Sequence, residues 1–216
     1  CGSMFNGNDY KVFSNLNVSS STPIQFMNAA EVYFLRAEAA LRGWNAGGDA
    51  ETLYENGIAT AFSQPLGATQ AKAGDASAYI KRTTLPKGYV DPKNSSYSDS
   101  STGQVSVNWA DATGFDEKLE KIITQKWIAL FPDGQEAWSE FRRTGCPRVI
   151  RVATNNSGGR IDSKKQVARL PYPTNLSKDY PDLYQEAVNN SELLGGADNG
   201  GTKLWWDKRN DKPYQN

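Results

Sequence analysis

Apolar residues recur at the helical period in several stretches, most clearly from Lys118 to Arg151. There Leu119, Ile122, Ile123, Trp127 and Leu130 fall at i, i+3, i+4, i+8 and i+11, so one helix face is apolar. Phe131-Pro132 ends that helix, because the residue before a proline is pushed out of the α region. Asp133, with Glu136 three residues on, reads as a capping box that opens a second helix. Ala137, Trp138 and Phe141 are expected to face inward, and Glu140, Arg142 and Arg143 outward. Gly145 fits the C′ position, and Pro147 blocks continuation. The stretch predicts an α-helical corner with Trp127 and Trp138 in its core.

A second periodic region lies earlier. Asn28 and Glu31 form another capping box, opening a helix to about Arg42 with Gly43 as its stop. Asp49 starts a partner helix to about Ser63, with Pro65 beyond it. Small residues at the seam make the pair resemble a tetratricopeptide-type hairpin. One such hairpin cannot bury its apolar face alone, so it must stack on something else.

Elsewhere the pattern is weaker. Residues 1–27 are polar and irregular, with Pro23 as a breaker. Residues 64–114 are loop-like apart from a short helix at about Asp75–Lys81. Long loops in compact proteins are usually functional or disordered. Exposed aromatics on them are the better candidates for ligand contact. Tyr89, Tyr97 and Trp109, with Asn94 and Asn108 beside them, are the candidate ligand-binding residues. Arg148–Val152 and Gln166–Leu170 read as a small β-hairpin. Pro181 starts a helix expected to reach Leu193. Trp205 and Trp206 are expected to anchor the tail. Asp198 and Asn199 lack calcium-loop spacing and read as a turn.

Composition narrows the chemistry. The 216 residues include no histidine, which removes Ser-His-Asp and Cys-His catalysis and most zinc sites. Twenty-four basic residues balance 24 acidic ones, so no global charge favours nucleic acid. Mean hydropathy is −0.64, and no apolar run is long enough to span a bilayer. Aromatic residues make up 11% of the chain; their flat faces suit core packing and also the C–H face of a sugar ring.

The run QKWIALFPDGQEAWSEFRRTGCP resembles the C-terminal signature of the SusD/RagB family. Two further blocks agree: NAAEVYFLRAEAALRGW at Asn28–Trp44, and Arg169–Asp207 from RLPYPTN through TKLWWD. The resemblance implies a mainly α fold of tetratricopeptide-like hairpins with irregular loops. Residues 1–216 then form a single C-terminal region of a longer chain. On that reading Cys1 is expected to be an internal residue; the alternative is a lipidated terminus. A Cys1–Cys146 disulfide has no positive support.

The resemblance further implies a lipid-anchored protein of the outer-membrane surface. Such a protein binds oligosaccharide and hands it to a SusC-like TonB-dependent transporter. The membrane link is an N-terminal lipid anchor of the full-length protein. No cofactor, metal or catalytic residue is expected. Two alternatives stay open: a glycoside hydrolase using paired carboxylates, which needs no histidine, and a peptide-binding or scaffold protein of the same fold.

Overall fold

The computed structural model describes residues 19–22, 25–64, 75–163 and 166–207. Cys1, Pro23 and Pro65 lie outside them. Seven α-helices are described: α1 Ala29–Leu41, α2 Ala50–Ser63, α3 Ala76–Ile80, α4 Phe115–Ala129, α5 Gly134–Thr144, α6 Leu176–Asp179 and α7 Pro181–Asn189.

The helix starts are local chemistry. The Asn28 side chain accepts from Glu31 N at 2.7 Å, and that of Asp49 from Thr52 N at 2.9 Å. Asp133 accepts from both Gln135 N and Glu136 N. The glutamates of the two expected capping boxes look elsewhere: Glu31 and Glu136 both turn to Lys126. Gly43 and Gly145 end α1 and α5 in the left-handed region, at φ 78° and 75°.

Helix α1 packs against both α2 and α4. Phe34 of α1 lies so close to Gly57 of α2 that a Cβ there would sit 2.7 Å from the ring. Glycine, more than the alanines of the seam, therefore sets the approach. Phe34, Tyr54, Ile58, Leu119, Ile122 and Ile123 form the buried centre. The Tyr54 hydroxyl donates to Val107 O at 2.7 Å, which ties the irregular 83–112 region to that core.

A buried ion-pair network joins the hairpin to the corner. Lys126 is 1% exposed, and its ammonium meets Glu31 at 3.4 Å, Glu136 at 3.0 Å and Glu140 at 3.0 Å. Arg143 then bridges Glu140 to Glu38, which also pairs with Arg42. Burial alone would lower the Lys126 ammonium, but Glu140 and Glu136 outweigh it and hold the group above its usual range. Burial alone would raise the Glu38 carboxyl; Arg143 and Arg42 outweigh it and hold the group below the usual carboxylate value.

Several expectations are corrected. Glu140 is buried because Lys126 and Arg143 receive it. Trp127 is 39% exposed and faces a cleft that no described element covers. Trp138 is half-buried; its indole N–H donates to Val167 O at 2.9 Å. Arg142 lies over its ring at 4.4 Å and over Trp206 at 5.5 Å, so a cation, not a core, joins the two indoles. Trp205 is 69% exposed, so most of its ring faces outward.

The expected β-hairpin is also absent. Residues 148–152 are irregular, and the described bridges are isolated ones at Tyr89–Asp99 and Asp162–Gln166. Arg169 is drawn into the C-terminal turn instead, where its guanidinium donates to Asp198 at 2.9 Å and to Asn199 O. Asp198 and Asn199 serve that turn, as expected: the Asn199 side chain accepts from Gly201 N and Thr202 N. Helix α7 stops at Asn189, short of Leu193. Cys146 is a buried thiol outside any disulfide among the described residues.

Two predictions follow from the ion pairs. Lys126→Ala takes the ammonium from Glu31, Glu136 and Glu140, leaving Glu140 with Arg143, and should destabilise by about 3–5 kcal/mol in denaturant melts. A loss below about 1 kcal/mol would show that the network is not a joint of the fold. Glu38 has a folded pKa below its ordinary 4.5, so its contribution is present above that value and lost as pH falls through the folded one. Urea midpoints between pH about 6 and about 3 should fall less steeply in Glu38→Gln than in the parent.

Candidate functional site

The loop carrying the candidate aromatics is built from side-chain turns. Tyr89 and Asp99 exchange backbone hydrogen bonds at 2.8 and 2.9 Å, closing the segment at its base. Asp91 accepts from Lys93 N and Asn94 N, and from the Tyr89 hydroxyl at 2.9 Å. Those backbone N–H groups hold the Asp91 carboxyl below its usual range. The hydrogen bond to Asp91 in turn raises the Tyr89 phenol. Asn94 caps a 3₁₀ turn, Ser95–Tyr97, by accepting from Ser96 N at 3.0 Å. Tyr89 and Tyr97 are both half-buried, and Asn94 is exposed.

Trp109 stands apart from this loop. It is only 7% exposed, packs on Tyr54 with ring centroids 5.2 Å apart, and has the Lys118 ammonium 5.4 Å from its ring centroid. The residue is core, which removes it as a sugar platform. Asn108 accepts from Ala110 N to cap the 3₁₀ turn Trp109–Asp111. Of the five candidate residues, the structure therefore brings Tyr89, Asn94 and Tyr97 onto one loop and sends Trp109 to the core beside Asn108.

Two cavities flank these elements. An apolar cleft of about 590 Å³ runs along Phe62, Tyr79, Trp127, Ile128 and Phe131. A polar pocket of about 350 Å³ is lined by Leu85, Gln104, Ser106, Asp111, Glu117 and Lys121, among others. Both fall in the size range of ligand sites, roughly 300–1,000 Å³. Lys121 is 2% exposed at the polar pocket's floor. Burial pulls its ammonium below the usual lysine range, opposed by the field of Asp111, Glu117 and Glu120. Glu117 is exposed and held below its usual range by Thr113 N–H, so it is an ionised acceptor.

Reading the chain alone missed Lys121 and Ser106 of the polar pocket. Lys121 and Glu117 look like ordinary helix-face charges in α4, and only the return of Ser106 against Lys121 marks a site. No group of three or more metal-ligating side chains occurs among the described residues.

The family model described as SusD-like, the SusD and RagB outer membrane lipoproteins, matches residues 2–207. The chain belongs to the SusD-like family. A SusD homolog from Bacteroides vulgatus is 42% identical, with a TM-score of 0.76 over 94% of this chain and 40% of its own. A chitin-binding SusD homolog from Flavobacterium johnsoniae is 44% identical, with a TM-score of 0.70 over 85% of this chain and 36% of its own. A SusD homolog from Bacteroides thetaiotaomicron is 40% identical, with a TM-score of 0.72 over 89% of this chain and 40% of its own. The SusD-like chain thus spans about two fifths of the length of these relatives. Among curated proteins nothing matches. No described helix is long and apolar enough to cross a membrane.

The loop offers a direct test. If Tyr97 contributes a ring to sugar, Tyr97→Ala should weaken glycan binding about threefold to tenfold while the melting temperature holds. Unchanged affinity in calorimetry would assign the loop to packing.

Proposed function

We propose that this SusD-like protein captures oligosaccharide at the cell surface and passes it to a SusC-like TonB-dependent transporter in the outer membrane. A lipid anchor on the full-length protein holds it there. The reading is carried by one observation: 44% identity, over 85% of the chain, to a SusD homolog described as chitin-binding. The family's description as outer membrane lipoproteins supports the location.

The role is binding without covalent chemistry. Capture needs rings to stack on sugar faces and polar groups to match hydroxyls. Tyr89 and Tyr97 on the closed loop supply the rings, and Asn94 beside them and the polar pocket supply the polar groups. Asp111 and Glu117 share that pocket, which is the observation that favours a hydrolase as the second reading. A glycosidase needs one carboxyl raised enough to deliver a proton; Glu117, held below its usual range, fits only the ionised partner of such a pair.

The test is a panel of plant, chitin and host oligosaccharides titrated into the protein by calorimetry, with each mixture then chromatographed. Binding with the sugar recovered intact is expected. Shortened products would replace capture by hydrolysis. Silence to every glycan, with binding to peptides, would replace the ligand class.

A further inference from the structure

We infer that the polar pocket beside the start of α4 is a subsite for uncharged sugars, gripped through neighbouring hydroxyls by Asp111, Glu117 and Lys121. The inference rests on the glycan-capture reading and adds the charge class of the sugar.

The first observation is a buried cation that Ser106 holds directly, while Asp111, Glu117 and Glu120 act on it only through their field. Lys121 donates to Ser106 O at 2.7 Å and to Ser106 Oγ at 2.9 Å. Among the described residues no carboxylate forms an ion pair with it, in contrast to Lys126 five residues on. A buried ammonium costs several kcal/mol to desolvate, and an ammonium has three donors. Ser106 takes two, which leaves one for a guest in the cavity that Lys121 lines.

The second observation is the state of the two rim carboxylates. Asp111 Oδ2 accepts from Ser106 Oγ at 2.6 Å. Glu117 Oε2 accepts from Thr113 N at 2.8 Å and from its hydroxyl at 3.3 Å. Each carboxylate is thus oriented by short local hydrogen bonds, Glu117 also by the Gly114 N–H, and each oxygen has lone pairs enough to accept from a guest as well. A sugar hydroxyl both donates and accepts, so adjacent hydroxyls can donate to the rim and accept from the floor. Leu85, 53% exposed, offers an apolar patch for the ring's C–H face.

Charge then selects. One ammonium faces two carboxylates in this lining, so the pocket is net negative by one. A uronate or sialate carboxyl brought there meets like charge at short range, while an uncharged hexose does not.

The test titrates the full chain with uncharged hexasaccharides of glucose, xylose and N-acetylglucosamine, and separately with hexagalacturonate. The parent should bind at least one uncharged sugar and prefer it to hexagalacturonate. The double variant Asp111→Asn, Glu117→Gln keeps acceptors for Ser106 and Thr113 and removes both negative charges. It should lose about tenfold or more in affinity for the uncharged sugar and gain affinity for hexagalacturonate. Lys121→Met should also weaken the uncharged sugar; should that variant fail to melt cooperatively, the exposed double variant decides. Unchanged binding in the double variant overturns the pocket and leaves glycan capture standing. Preference of the parent for hexagalacturonate overturns the charge selection. Binding of no glycan by the parent overturns glycan capture, and the pocket with it.

Discussion

The ammonium of Lys126 is the joint on which the two halves of the described structure meet. It is 1% exposed and surrounded by Glu31 from α1 and by Glu136 and Glu140 from α5. Removing a charge of that kind from water is costly, and only close partners of opposite sign offset it. The arrangement fixes geometry more than it adds net stability. α4 can carry Lys126 inward only if α1 and α5 both present carboxylates at the right height. Arg143 extends the constraint by joining Glu140 to Glu38. The corner and the hairpin are therefore positioned by polar pairing laid over the apolar contact of Phe34, Leu119 and Ile122.

That frame is what gives an irregular region a defined shape. Residues 83–112 have almost no regular secondary structure, yet Val107 and Trp109 sit in the core, and Val107 O accepts from the Tyr54 hydroxyl. Ser106, next in the chain, is thereby held above Lys121. The polar pocket follows from this anchoring: a loop pinned by its apolar residues leaves its polar neighbours facing α4. The outer loop at Tyr89–Asp99 is closed by its own bridge and by Asp99 accepting from Arg151 N.

The apolar cleft along Trp127, Ile128 and Phe131 shows the same frame from its uncovered side. A lone tetratricopeptide-like hairpin has more apolar surface than it can hide by itself. The relatives in this family are more than twice as long as the matched part.

The sequence by itself determined the local events. Asn28, Asp49 and Asp133 cap their helices, and Gly43 and Gly145 stop theirs, because these choices are made within four residues by backbone hydrogen bonding and φ. It also carried the family, through three motif blocks in order. It did not determine which aromatic residues are buried. Trp127 and Trp109 exchanged their expected places, since periodicity ranks the faces of one helix but says nothing of what covers each face. Nor did it show Glu140 as buried: a carboxylate reads as solvated until Lys126, fourteen positions earlier, is seen opposite it. The expected strands at 148–152 and 166–170 failed because β pairing is a contact between segments, and Arg169 found Asp198 instead. The pocket at Lys121 is the same lesson: its members are ordinary alone, and only tertiary packing sets Ser106 against a buried ammonium.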